Sequence, residues 1–363
     1  MAAASAYAGS PARHARRPLV PMSGALKGSD RAQCARFTAD ARVGTVGSVA
    51  QDQIDDAVAE AERRRSISDR DLSALVQHFG AVVRPMCQEW ALTVERWLPG
   101  GAGTPPLVVR RADGSAAVLK IAEPGALDGA VRVMRADDGI AYAGVLAWQA
   151  DRGALLLEQL GHVLSAETFT LSGQGQVLVP LLREAWRVPL TCGRPFQSKA
   201  LDLLAILADL GPRYGSHHRD VLAVATDYAE QLAASETAEV VCHGDPHAGN
   251  VLRRGGGWAL IDPDGFMGER AYDLGVVVRD ACREIAAAEA LQPGSARPML
   301  LEGCRRLAEA ANVDPERMWR WGFVERVTTG LYLGWYGHAR ESATFLETAT
   351  LLANSQCAGS LGI

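Results

Sequence analysis

Hydrophobic spacing changes period once along this chain, near Gly161, and that change bounds the fold. Before it, "ALTVERWL", "PPLVVRRA", "SAAVLKIA", "AYAGVLAWQA" and "GALLLEQL" are short apolar or β-branched runs, and "DGS" and "DRG" supply turn signals between them. They predict about five strands with one helix inserted near residues 125–135. After Gly161, the runs "QGQVLVPLLREAWRV", "KALDLLAILADL", "HRDVLAVATDYAEQLAA", "AYDLGVVVRDACREIAAA", "ARPMLLEGCRRLAEAA" and "PERMWRWGFVERVTTGLYLGWYG" carry helical spacing. Three short strands, "EVVC", "NVLR" and "WALID", interrupt them. The expectation is an α+β protein of two lobes. Residues 51–160 form a small, mostly antiparallel lobe, residues 161–363 form a larger helical lobe, and a cleft lies between them.

Two helices precede the strands. "QDQIDDAVAEAERRR", Gln51 to Arg65, is polar, with acid early and base late. "SDRDLSALVQHFG" is amphipathic, with Ser68 or Asp69 as its expected cap and Gly80 as its stop. Residues 1–50 read as a disordered extension outside the fold. Seven basic residues stand there against Asp30 and Asp40 before Gly44, the apolar core of a secretory signal is missing, and Met22 is an alternative start.

A net charge of −5 argues against a nucleic-acid partner and mildly favours a cationic small molecule. No apolar run is long enough for a membrane span. Seven cysteines (34, 87, 192, 242, 282, 304 and 357) without a CxxC pair read as reduced thiols in a cytoplasmic protein.

The chemistry concentrates in "VVCHGDPHAGNVLRRGGGWALIDPDGF", residues 240–266. Phosphoryl transfer from ATP needs a carboxylate to orient the attacking hydroxyl, a Lys against the phosphates and oxygen ligands for Mg²⁺. Protein-kinase-like enzymes supply these as a strand Lys, then D-x-x-x-x-N, then an Asp ending the next strand. Here Lys120 ends "AAVLK", Asp245 and Asn250 have the five-residue offset, and Asp262 follows "WALI". Asp245 is the expected catalytic base; Asn250 and Asp262 are the expected metal ligands, and Lys120 the phosphate contact. His243 is expected to brace the loop. His243 and His247 are four apart, as zinc ligands on a helix would be, but Gly244 and Pro246 lie between them and the required Glu is missing. Gly100, Gly101 and Gly103 in "LPGGAGTPP" would let backbone amides approach phosphates, although no Gly-Lys-Ser/Thr follows. The backbone from Glu158 to Leu160, after the last strand, would read the adenine edge.

At these residues the chain resembles the aminoglycoside phosphotransferase superfamily, and most closely its branch of streptomycin 6-kinases and hydroxyurea phosphotransferases. "HGDPHAGNVL" is similar to that superfamily's catalytic loop, "LIDPDGFMGERAYDLG" to its metal-binding segment and "WGFVERVTTGLYL" to a C-terminal helix of the branch. The resemblance implies a protein-kinase-like bilobal fold and ATP-dependent phosphorylation of a hydroxyl. It assigns the same roles to Asp245, Asn250, Asp262 and Lys120, and makes Asp273 in "AYDLG" a structural acid bonded to the catalytic loop. Asp264 would support the metal ligands.

Two departures stand out. Residues 124–157 contain no Glu to pair with the strand Lys, leaving Asp128 as the nearest substitute, and Pro246 stands where Leu is commoner. Asp280, Glu284, Trp321, Glu325 and Trp335 are candidates to meet a polycationic sugar such as streptomycin, through carboxylates and stacking. Hydroxyurea, another small acceptor, or a nucleotide-binding pseudokinase without turnover are the alternatives.

Overall fold

The computed structural model describes residues 46–100 and 103–354. Most of the expected extension over residues 1–50 therefore lies outside the described residues, as do Gly101, Cys34 and Cys357. The first helix begins before the expected Gln51: α1 spans Val46–Ile67 and α2 spans Ser73–Glu89. Neither Ser68 nor Asp69 caps α2, whose N-cap position is held by Leu72, and the helix runs on through Gly80. Val76, Phe79, Val83, Met86 and Cys87 form one buried stripe on both sides of that glycine. Burying five such side chains outweighs a glycine penalty of about 1 kcal/mol.

The strands fall within the short apolar and β-branched runs of the sequence. β1 (Thr93–Trp97), β2 (Leu107–Arg110) and β3 (Ala116–Ile121) are followed by α3 (Asp128–Asp137), β4 (Val145–Gln149) and β5 (Ala154–Glu158). They form one antiparallel sheet in the order β1-β2-β3-β5-β4. Along β3, Ala117, Leu119 and Ile121 turn to the core, which leaves Lys120 on the opposite face.

The second lobe holds α4 (Leu171–Ala185), α5 (Lys199–Tyr214), α6 (Arg219–Ala233), the strands β6 (Val240–Cys242), β7 (Val251–Arg254), β8 (Gly257–Leu260) and β9 (Phe266–Gly268), then α7 (Arg270–Arg279), α8 (Cys282–Leu291), α9 (Ala296–Ala311), α10 (Pro315–Trp335) and α11 (Ala339–Asn354). The stretch read as one helix through 271–288 breaks at Asp280 and Ala281 into α7 and α8. Helix α10 is the axis of this lobe, packed against α5, α6, α7, α9 and α11 and buried on nearly every side. Among the described residues, no helix is long and apolar enough to cross a membrane. The described cysteines, Cys87, Cys192, Cys242, Cys282 and Cys304, are free thiols.

The lobes share backbone hydrogen bonds. Leu260 of β8 exchanges them with the segment before β4: its N–H reaches Ala141 at 2.8 Å and its carbonyl accepts from Ala143 at 2.9 Å. The connection after β5 runs along β7, with Gly161 donating to Arg253 at 2.8 Å and Arg253 donating to His162 at 2.9 Å. The α1–α2 turn docks on the end of α10, where the Trp335 carbonyl accepts from Asp69 at 2.9 Å and Arg70 at 3.2 Å. The Arg70 guanidinium donates to the Tyr332 and Tyr336 hydroxyls and stacks 5.5 Å over Trp335.

Candidate active site

Two small ladders explain why the acidic loops at 243–250 and 261–265 meet. β6 pairs with β9, matching Cys242 to Phe266, and inside it β7 pairs with β8, matching Val251 to Leu260. Nested hairpins of this kind return the chain so that both loops leave at the same end. Ile261 N–H donates to the Asn250 carbonyl at 2.9 Å and Asp264 N–H to the His243 carbonyl at 2.6 Å. Gly244 sits at the crossing with φ +92, and a Cβ there would lie 2.6 Å from the Asp264 Cβ. β9, three residues long, has too little sequence to announce itself.

Lys120 and Asp262 form an ion pair across the cleft. Asp262 adopts φ +61 although Pro263 follows it. That conformation disfavours any side-chain-bearing residue, and a following proline also biases its neighbour toward extended backbone. Strain held at such a position accompanies sites where side-chain placement matters more than local stability. Asp128, the substitute considered for a helix Glu, is instead exposed in the first turn of α3, and the carboxylate on Lys120 is Asp262.

Asp245 is 1% exposed. Its Oδ1 accepts from Arg279 Nη2 at 2.9 Å, while Oδ2 makes no hydrogen bond and stands 3.6 Å from His247 Nε2. Burial pushes its carboxyl up to about 8, against the opposing Arg279 charge. Asn250 Nδ2 donates to the Asp245 carbonyl at 3.0 Å, which leaves the amide oxygen as its donor atom toward a cation.

His243 braces the loop. Its Nδ1 accepts from Asp245 N–H at 3.1 Å, Nε2 lies 2.9 Å from the Ile261 carbonyl, and the ring stacks on Tyr142 at 5.8 Å. Burial lowers it to about 4, so the ring is neutral. Asp273, fully buried, accepts from His243 N–H at 2.9 Å, Gly244 N–H at 2.8 Å and Trp186 Nε1 at 2.8 Å. Burial raises its carboxyl to about 6 although three N–H donors pull it down.

The remaining candidates scatter. The Gly100 carbonyl accepts from Arg64, and Gly103 is buried, where a Cβ would lie 2.6 Å from the Leu75 side chain of α2 and would push it aside. Thr104 beside it donates to the Ile121 carbonyl at 2.9 Å, which sets the loop over the end of β3. The Glu158 carboxylate accepts from Gly144 N–H at 2.7 Å, and Leu160 packs partly buried against the core.

Of the residues expected to meet a cationic sugar, Asp280 alone adjoins Asp245, bonded to the same Arg279. Glu284 caps α4 by accepting from Leu171 N–H. Glu325 and Trp321 are fully buried under α7, and Trp335 anchors Arg70. Full burial takes Glu325 and Trp321 out of a substrate-lining role, because helical spacing reports a face but not what covers it. Sequence reading missed Arg279; its signal was a charged pair closing the apolar run "DLGVVVRD".

The residues suit a magnesium nucleotide. Asp262 and Asn250 offer hard oxygens and Lys120 an ammonium, the set such a ligand requires. Both ring nitrogens of His243 are engaged, by the Asp245 N–H and the Ile261 carbonyl, which leaves neither to join His247 on a zinc ion.

A family model described as aminoglycoside/hydroxyurea antibiotic resistance kinase matches residues 89–333. A streptomycin 3''-kinase of Klebsiella pneumoniae is 30% identical over 242 residues, 63% of this chain and 83% of its own. A hydroxyurea phosphotransferase of Kitasatospora aureofaciens is 30% identical over 201 residues, 53% of this chain and 58% of that relative. Among solved structures, a spectinomycin phosphotransferase in complex with ADP and spectinomycin aligns at TM-score 0.48 and 13% identity, over 76% of this chain and 93% of that one. The match over residues 89–333 takes in both lobes and all four of Lys120, Asp245, Asn250 and Asp262, and the chain belongs to the aminoglycoside/hydroxyurea antibiotic resistance kinase family.

Proposed function

We propose that this chain is an ATP- and Mg²⁺-dependent phosphotransferase that moves the γ-phosphoryl group to a hydroxyl of a small cationic acceptor, an aminoglycoside of the streptomycin type. The observation that carries the reading is the Lys120–Asp262 pair closing the cleft beside Asp245 and Asn250. In this reading residues 51–160 are the nucleotide lobe and residues 161–363 the catalytic and acceptor lobe, and the enzyme acts in the cytoplasm.

Asp245 Oδ2 accepts the proton of the acceptor hydroxyl as its oxygen bonds to the γ-phosphorus and the bond from that phosphorus to the β,γ-bridging oxygen breaks, releasing ADP, while Arg279 keeps Oδ1 occupied. Lys120 directs its charge at the nucleotide phosphates. Asn250 and Asp262 would hold Mg²⁺, which would supply positive charge against the phosphates. His243 and Asp273 keep the loop in register through the bonds described above. Turnover rises with pH through about 8, as the raised Asp245 carboxyl ionises. Asp280, whose carboxylate shares Arg279 with Asp245, favours a cationic acceptor. The 30% identity to a hydroxyurea phosphotransferase supports hydroxyurea as the second acceptor class.

Labelled ATP with Mg²⁺ is offered streptomycin, other aminoglycosides and hydroxyurea. Transfer to streptomycin that disappears in Asp245→Asn, with nucleotide binding retained, is the expected result. Folded wild type that binds nucleotide and labels none of them refutes the reading; transfer that survives Asp245→Asn refutes the assigned base.

A further inference from the structure

We infer that Arg279 is a positioning residue for this reaction, fixing the plane of the Asp245 carboxylate so that one oxygen remains turned to the acceptor; the inference rests on the function proposed above. Arg279 ends α7 and is 1% exposed. Nη2 donates to Asp245 Oδ1 at 2.9 Å and Nε donates to Asp280 Oδ1 at 2.7 Å. Nη1 stands 3.7 Å from Glu325 Oε2, and the other Glu325 oxygen accepts from the Tyr272 hydroxyl. Glu325 belongs to α10, the most enclosed helix of the lobe, and is itself fully buried. A line of contacts therefore runs from the axis of the helical lobe, through Glu325 and Arg279, to the proposed base. It ends on an Asp245 whose Oδ2 makes no hydrogen bond.

The guanidinium suits this task because its donors lie in one rigid plane. Hydrogen bonds from Nε to Asp280 and from Nη2 to Asp245 hold the fork at two points, and the Glu325 charge faces Nη1 without bonding it. A lysine would supply the same charge from a rotatable stem. Charge neutralisation alone would survive Arg279→Lys, whereas positioning would not.

Arg279→Lys is measured with streptomycin, or with the first member of the acceptor panel that the wild type labels. We expect an unfolding midpoint near wild type, KM for ATP within about 3-fold and kcat lower by about 100-fold, the size of effect that small misplacements produce. Glu325→Gln, which keeps the Tyr272 contact but weakens the hold on Arg279, lowers kcat in the same direction and decides the matter if Arg279→Lys does not fold. Wild-type kcat in Arg279→Lys, or in Glu325→Gln, overturns the inference. If the wild type labels no acceptor, the functional reading falls and this inference with it. If the wild type is active, Asp245→Asn is dead and Arg279→Lys turns over normally, this inference falls alone.

Discussion

Replacing Asp273 by Ala tests how the acidic loop is held. Three buried N–H groups, from His243, Gly244 and Trp186, end on that one carboxylate. Each donor left without a partner costs about 1–3 kcal/mol. Relaxation and an entering water would recover part of the sum, so a net loss of about 4 kcal/mol is expected, a large share of a stability of about 5–15 kcal/mol. With a urea slope of about 3 kcal/mol/M the midpoint falls by about 1.3 M. Far-ultraviolet circular dichroism and indole fluorescence report it together, since Trp186 loses its acceptor. The penalty also has a sign with pH. Folding raises the Asp273 carboxyl to about 6 from an ordinary 3.8, so the wild type gains most from it below 4 and loses that gain as pH rises through 6. The Ala variant has nothing to titrate, and its deficit should be larger at pH 4 than at pH 7.5. A midpoint shift below about 0.3 M at both pH values would refute the accounting, because three orphaned donors cannot cost so little.

Gly244→Ala combines φ +92 with a contact of 2.6 Å to Asp264, and it should cost about 2–3 kcal/mol in thermal unfolding and most of the turnover. Lys120→Met breaks the pair with Asp262 and should weaken ATP binding by about 10-fold, read by titration with a fluorescent nucleotide. Burial lowers His243 to about 4, so its contribution to stability is present above pH 6.5 and lost as pH falls toward 4; the stability difference between wild type and His243→Gln in urea should shrink over that interval. Burial lifts the Cys87 thiol to about 11 and Cys304 to about 12, and both should resist alkylation at pH 8 in native protein and react once it is unfolded.

Much of the fold was legible because its signals are local. Short apolar and β-branched runs between turn signals located all five strands of the sheet, and the run from Val240 to Phe266 carried its strands and loops in order. The failures share a physical cause. Gly80 looks like a stop only if the buried stripe crossing it is unseen, and α10 presents polar residues such as Glu325 in a helix enclosed on all sides, where spacing cannot separate lining from core. The chemistry was legible as a set of residue types, but the grip of Arg279 on Asp245 depends on two side chains 34 positions apart, and no local rule relates them. The partners of Glu284 and Trp335 were illegible for the same reason, since a capping bond to Leu171 and a stack with Arg70 join distant segments.

The docking of the α1–α2 turn on α10 bears on where this enzyme can be cut. The family match opens at residue 89, yet Phe79, Val83 and Met86 just upstream are sealed in the core and Asp69 and Arg70 occupy the last carbonyl of α10. A fragment trimmed to the matched span would bare the back of the sheet and uncap the axial helix together. Boundaries drawn at the matched span would remove α1 and α2 from the sheet and α11 from the axial helix, so the packed unit is wider than the kinase homology at both ends.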